Sequence, residues 1–174
     1  MHNEHWVFGY GSLIFRVDFT YLEKQAASIT GWSRRFWQGS HDHRGLPHAP
    51  GRVVTLIESP GEQCGGVAYR VEEHVFQHLD HREKNGYRRV DTALLFEDGS
   101  KEQGTVYIAE HDNHAFLGPA PLAEIAAHVV VSSGPSGHNI DYLLELDAAL
   151  LELGIDDAHV SELAQLVRDI ANKT

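Results

Sequence analysis

The sequence holds a single cysteine, Cys64, in 174 residues. That excludes an intramolecular disulfide and every zinc or redox motif built on paired cysteines. Cys64 lies in the apolar stretch Gln63-Cys64-Gly65-Gly66-Val67-Ala68-Tyr69, where a thiol serves as a small buried hydrophobe. Long hydrophobic runs are missing too. No stretch approaches the roughly 20 apolar residues that span a bilayer, and Met1-His2-Asn3-Glu4-His5-Trp6 has neither the basic nor the apolar part of a secretory signal. A soluble, cytoplasmic protein is expected. Positive charge is scarce: 14 Lys and Arg face 25 Asp and Glu, for a formal net charge of −11. Such a surface repels nucleic acid and anionic membrane, so neither is expected as a partner.

What is present is the composition of a globular protein, with 42% hydrophobic and 22% charged residues, which excludes a disordered or collagen-like chain. The length suits one domain over residues 1–174. Histidine is plentiful. Protonating all 13 histidines would carry the net charge from −11 to +2, so solubility is expected to fall as pH drops toward the pI of 5.5.

The first part of the chain reads as strands and turns. Residues 6–10, 32–37, 52–57, 66–71, 87–96 and 104–109 are rich in β-branched and aromatic side chains. Residues 39–51 are crowded with Gly, Pro and polar side chains and read as a long loop, either a mobile lid or a polar turn. Residues 72–82 change to helical spacing, with Gly86 as a stop signal. The last third is helical, over 121–131, 139–153 and 158–170. Gly154 is placed to cap the second of these helices, and Asp156 or Asp157 to cap the third. Strands first and helices last make the fold class α+β.

Several groups have the residue types for chemistry. Tyr10-Gly11-Ser12-Leu13 follows an apolar strand, and its glycines let the backbone turn and approach a ligand closely. Successive N–H groups there suit a carboxylate or phosphate, although an ordinary strand-ending turn reads the same way. A serine nucleophile elbow is excluded, because Tyr10 and Ile14 stand where G-x-S-x-G needs glycine. Glu83, at the end of the first long helix, is a candidate general base or one charge of a solvated helix end. His74, His78 and His81 share a helical face, but no HExxH pattern or second cysteine accompanies them, and no metal is expected. Arg52 opens a strand beyond the long loop, and is either a bidentate carboxylate clamp or a salt-bridge partner.

Taken together, the motifs resemble a known family. Val7-Phe8-Gly9-Tyr10-Gly11-Ser12-Leu13-Ile14 is similar to the signature of γ-glutamylcyclotransferases. Gln38-Gly39-Ser40, Asp42-His43-Arg44-Gly45 and Pro50-Gly51-Arg52-Val53-Val54-Thr55-Leu56 resemble its ChaC branch. So do Gly66-Val67-Ala68-Tyr69, Leu79-Asp80, Arg82-Glu83-Lys84, Gly86-Tyr87, Tyr107-Ile108-Ala109, Leu117-Gly118-Pro119-Ala120-Pro121 and Gly134-Pro135-Ser136-Gly137 with Asn139 and Tyr142. The family often has Trp and Asn after this signature, where the chain has Phe15 and Arg16, a change that bears on local packing.

The resemblance implies a compact mixed β-barrel with packed helices, in keeping with the α+β reading. It implies cleavage of glutathione to 5-oxoproline and cysteinylglycine. The Tyr10-Gly11-Ser12-Leu13 turn would bind the γ-glutamyl group and Glu83 would be the catalytic acid–base. Arg52 and Tyr142 are added as candidate substrate contacts. The nucleophile is the substrate's own α-amino group, so no metal, cofactor or obligatory protein partner is expected. The alternatives are a cyclotransferase for other γ-glutamyl amines or amino acids, and a non-catalytic γ-glutamyl-binding regulator.

Overall fold

The structure, a computed structural model, describes residues 4–83, 87–109 and 113–173. The chain forms two compact units, residues 1–33 with 56–110 and residues 34–55 with 111–174. Five strands close into a barrel in the order β1-β3-β2-β4-β5. They are β1 (Glu4–Gly9), β2 (Glu23–Ser40), β3 (Gly51–Glu72), β4 (Tyr87–Phe96) and β5 (Lys101–Ala109). The ring is mixed. β1 runs antiparallel to β3, with Val7 opposite Tyr69, and parallel to β5, with Trp6 opposite Gly104.

Alternation of side chains decides what each face of these strands buries. Phe8, Ile29, Leu56, Cys64, Ala68, Leu94 and Val106 belong to the core cluster of the first unit. Cys64 is thus a core side chain, as its apolar setting indicates. Val7 and Tyr69 fall on the alternate positions and are buried as well, so these strands are covered on both faces. Helix α1 (Ser12–Phe15) and helix α2 (Glu73–Glu83) pack against β1. Phe76 and Leu79, three residues apart, are the buried stripe of α2.

The second unit is mainly helical: α3 (Leu122–Val131), α4 (Asn139–Glu152) and α5 (Ala158–Ala171), with the two-residue strands β6 (Ser133–Gly134) and β7 (Gly137–His138) as a short hairpin between α3 and α4. Ile125, Val129, Leu143, Leu146, Leu163 and Val167 recur at helical spacing and are wholly buried. Burial of each such side chain is worth roughly 1.5–3 kcal/mol. Gly154 follows α4 at φ +74, and the Asp157 carboxylate accepts from the Val160 N–H to cap α5.

The α+β class, the barrel and the helical last third agree with the sequence reading. The strands differ in length. Residues 52–57 and 66–71 belong to one continuous strand, β3, which passes through exposed Pro60 and through Gly61 at φ +87. β2 begins at Glu23, ahead of its aromatic stretch. The expected stop at Gly86 lies outside the described residues. Among the described residues, no helix is long and apolar enough to cross a membrane.

Candidate active site

β1 ends at Gly9, and Tyr10 and Gly11 turn the chain into the single-turn helix α1. The turn is tight enough to need glycine. A Cβ on Gly9 would lie 2.7 Å from the Leu13 Cβ, and one on Gly66 would lie 2.3 Å from the Gly9 carbonyl oxygen. Ile14 N–H donates to Gly11 O at 2.9 Å and Arg16 N–H to Ser12 O at 2.7 Å. The N–H groups of Ser12 and Leu13 belong to the first helical turn and have no acceptor inside the helix. The phenol of Tyr69, wholly buried, donates to Leu13 O at 2.5 Å and anchors the turn from behind. Burial, with a smaller contribution from Tyr21, pushes the Tyr69 hydroxyl up to about 12, so it remains a donor across the physiological range.

Glu83 closes α2 and is half-buried. Its Oε1 accepts from Arg82 Nε at 3.2 Å and Nη2 at 3.0 Å. Arg82 Nη1 also reaches Asp18 Oδ2 at 2.8 Å, three residues beyond α1. A second connection runs through Tyr107 on β5. The Tyr10 hydroxyl donates to Tyr107 O at 2.7 Å, and the Tyr107 hydroxyl donates to Asp80 Oδ1 at 3.0 Å, one helical turn before Glu83. Burial first, then the Asp80 carboxylate, raise the Tyr107 hydroxyl above its ordinary range; the charge of nearby Glu83 acts in the same direction. Within the first unit, hydrogen bonds run from Tyr10 through Tyr107 to Asp80, one helical turn from Glu83, while the pairing of Glu83 with Arg82 extends to Asp18 beyond α1.

Arg52 and Tyr142 belong to the second unit. Arg52 is 8% exposed. Its Nη1 donates to Phe36 O at 2.9 Å and Gly118 O at 3.0 Å, and its Nε to His128 Nδ1 at 3.4 Å. His128 Nε2 lies 2.7 Å from Pro50 O, which makes Nε2 the protonated nitrogen and Nδ1 the acceptor. Burial lowers the Arg52 guanidinium from its ordinary value, partly offset by Glu124. The Tyr142 hydroxyl accepts from Val54 N–H at 3.3 Å, and the side chain is buried. The 39–51 segment contacts the short hairpin between α3 and α4. Arg44 Nη1 donates to His138 O at 3.0 Å, Ser136 N–H donates to His43 O at 2.8 Å, and a Cβ on Gly134 would meet Gly45 O at 2.5 Å.

A model of the ChaC-like protein family matches residues 5–170. The chain belongs to that family. Gamma-glutamylcyclotransferase 2-3 of Arabidopsis thaliana is 43% identical over 97% of this ChaC-like chain and 91% of its own. Glutathione-specific gamma-glutamylcyclotransferase 1 of Danio rerio is 43% identical over 89% of this chain and 84% of its own. The crystal structure of a yeast gamma-glutamylcyclotransferase specific to glutathione superposes with a TM-score of 0.86 at 31% identity, covering 97% of each chain.

Three residues of this ChaC-like chain gain a place at the site that sequence reasoning did not assign: Tyr69, Asp80 and Tyr107. The available signal was the phenol itself. A tyrosine inside an apolar strand must hydrogen-bond when buried, and both Tyr69 and Tyr107 do so beside the motif residues.

Proposed function

We propose that the chain is a glutathione-specific γ-glutamylcyclotransferase, with Glu83 as its general acid–base. The observation that carries this reading is the run of hydrogen bonds from Tyr10 through Tyr107 to Asp80, one helical turn from Glu83, in a chain whose relatives bear that activity in their names. The reaction is an exchange of one amide for another. The α-amino nitrogen of the γ-glutamyl group attacks the γ-carbonyl carbon and closes the five-membered ring of 5-oxoproline, while the bond to the cysteinyl nitrogen breaks. The balance calls for no oxidant, nucleotide or metal, and the enzyme acts without cofactor.

The α-amino group has a pKa of about 8 and must lose a proton before attack. Glu83 accepts it and relays it to the departing nitrogen of cysteinylglycine, which also takes up the second proton that the ring nitrogen sheds as the new amide forms and so leaves as an ammonium. Such a group contributes about 10²–10⁴-fold. The N–H groups of Ser12 and Leu13 hold the α-carboxylate or the γ-carbonyl oxygen, so that the arm folds toward its own carbonyl. Orientation of this kind is worth up to roughly 7–11 kcal/mol. The bonds made by Arg52 and Tyr142 support scaffold roles for both. Under this reading one domain over residues 1–174 works in the cytoplasm, and the family match across 5–170 supports the single domain.

The test is incubation of the purified chain with millimolar reduced glutathione and mass-spectrometric assay of both products. Equimolar 5-oxoproline and cysteinylglycine are expected, with Glu83→Gln folded but about 10²–10⁴-fold slower. Wild-type turnover by Glu83→Gln would sink the assignment of the base. The name of the Arabidopsis relative specifies no glutathione, which favours a second reading, a broader γ-glutamyl cyclotransferase. Comparable turnover of γ-glutamyl-alanine would establish it.

A further inference from the structure

Asp80 is an unexpected residue for its place. It lies one turn from the C-terminal end of α2, where the helix dipole disfavours a carboxylate. It is compensated from outside the helix. The Tyr107 hydroxyl donates to Asp80 Oδ1 at 3.0 Å and Arg89 Nη1 lies 3.6 Å from the same oxygen. Arg89 is itself held: its guanidinium carbon is 4.9 Å from the centre of the Phe76 ring, and its Nε donates to Asp91 Oδ1 at 3.1 Å. Asp91 Oδ1 accepts from Thr105 Oγ1 at 2.9 Å. The last turn of α2 is thus fastened to both β4 and β5 by a network that ends at Asp80.

Asp80 and Glu83 stand three residues apart and share one helical face. Tyr107 meets Asp80 with its hydroxyl and the Tyr10 hydroxyl with its carbonyl. We propose that Asp80, through the hydrogen bond it accepts from Tyr107, is a positioning residue that sets Glu83 against the Tyr10–Leu13 turn. The inference rests on the functional reading above and gives that site a second carboxylate whose task is geometric.

The experiment compares Asp80→Ala, Asp80→Asn, Tyr107→Phe and the Asp80→Ala/Tyr107→Phe pair with wild type. Displacing a catalytic group by about 1 Å can cost 10²-fold. Asp80→Ala and Tyr107→Phe should each lower kcat for 5-oxoproline release by about 10–100-fold with KM nearly unchanged. The pair should be no slower than the slower single variant, because both remove one bond. Asp80→Asn retains an oxygen that accepts from Tyr107 and should recover most of kcat. Amide NMR shifts give a readout independent of turnover: residues 11–13 and 81–83 should shift in Asp80→Ala and Tyr107→Phe, and much less in Asp80→Asn. Unmoved amide shifts in Asp80→Ala, unchanged kcat, or additive losses in the pair would overturn the proposal. A wild-type chain that releases no 5-oxoproline defeats the functional reading, and the amide shifts then decide the positioning role by themselves.

Discussion

Arg52 keeps its charge in a place where almost no water reaches it, 8% exposed, with Nη1 shared between the carbonyls of Phe36 and Gly118. Its neighbours explain why arginine stands there. The planar fork offers several fixed donors, and the backbone at the same residue is held from both sides by Asn139, whose side chain accepts from Arg52 N–H and donates to Arg52 O, each at 2.8 Å. Removing the guanidinium strands buried carbonyls, at on the order of 1–3 kcal/mol each. Arg52→Ala should therefore lose stability in urea melts while the folded fraction retains a near-normal KM for glutathione. Arg52→Lys should recover only part of the stability, since lysine has no counterpart of the Nε donor to His128. A large rise in KM with an unchanged melt would restore the carboxylate clamp and remove the scaffold role.

Among the elements, α5 shows how much one residue can organise. Asp157 accepts from Val160 N–H with Oδ1 at 3.1 Å, and from Arg34 Nη1 with Oδ2 at 2.9 Å, where Arg34 is 2% exposed. Asparagine caps a helix as well as aspartate does, whereas alanine does not cap at all, a difference of about 1 kcal/mol. Asp157→Asn isolates the lost charge opposite a buried guanidinium, which is costly, and Asp157→Ala adds the lost cap. Both variants should have lower urea midpoints, with alanine lower than asparagine by about 1 kcal/mol. An asparagine variant as stable as wild type would show that the ion pair contributes nothing net. The helix ends were legible in the sequence because their signals are local: Asp157 before α5, Gly154 after α4, Pro121 before α3. The strands were less so. Pro60 and Gly61 punctuate a sequence, yet β3 runs on through both of them. At the site, the Tyr10–Leu13 turn and Glu83 stand out in the sequence through motifs that resemble those of a known family. The bond from Tyr107 to Asp80 spans 27 residues of chain and leaves no periodic trace in either segment.

At the scale of the whole molecule, 13 histidines suggest a general loss of stability in acid, but among the described residues the surroundings of His159 stand out. His159 Nε2 accepts from Phe36 N–H at 2.9 Å, and its ring stacks on Phe36 with centroids 6.0 Å apart. Burial above all, then Arg35 and Arg34 against the opposing pull of Asp157, lowers its pKa from 6.5 to about 4. The unfolded chain, with histidine near 6.5, therefore binds more protons than the folded chain between about pH 6.5 and 4. Stability falls as pH drops through that window and stops falling on this account below about 4, with a ceiling of about 3 kcal/mol. Asp91 acts elsewhere: its pKa is lowered, with Thr105 and Arg89 outweighing burial, so its contribution is lost only below the ordinary carboxylate range. His159→Gln offers an amide oxygen to Phe36 N–H and does not titrate. Urea midpoints of this variant should change much less between pH 7 and pH 4.5 than those of wild type. Parallel decline of the two would assign the acid sensitivity to the other histidines and to the shift in net charge, and would remove His159 from the account.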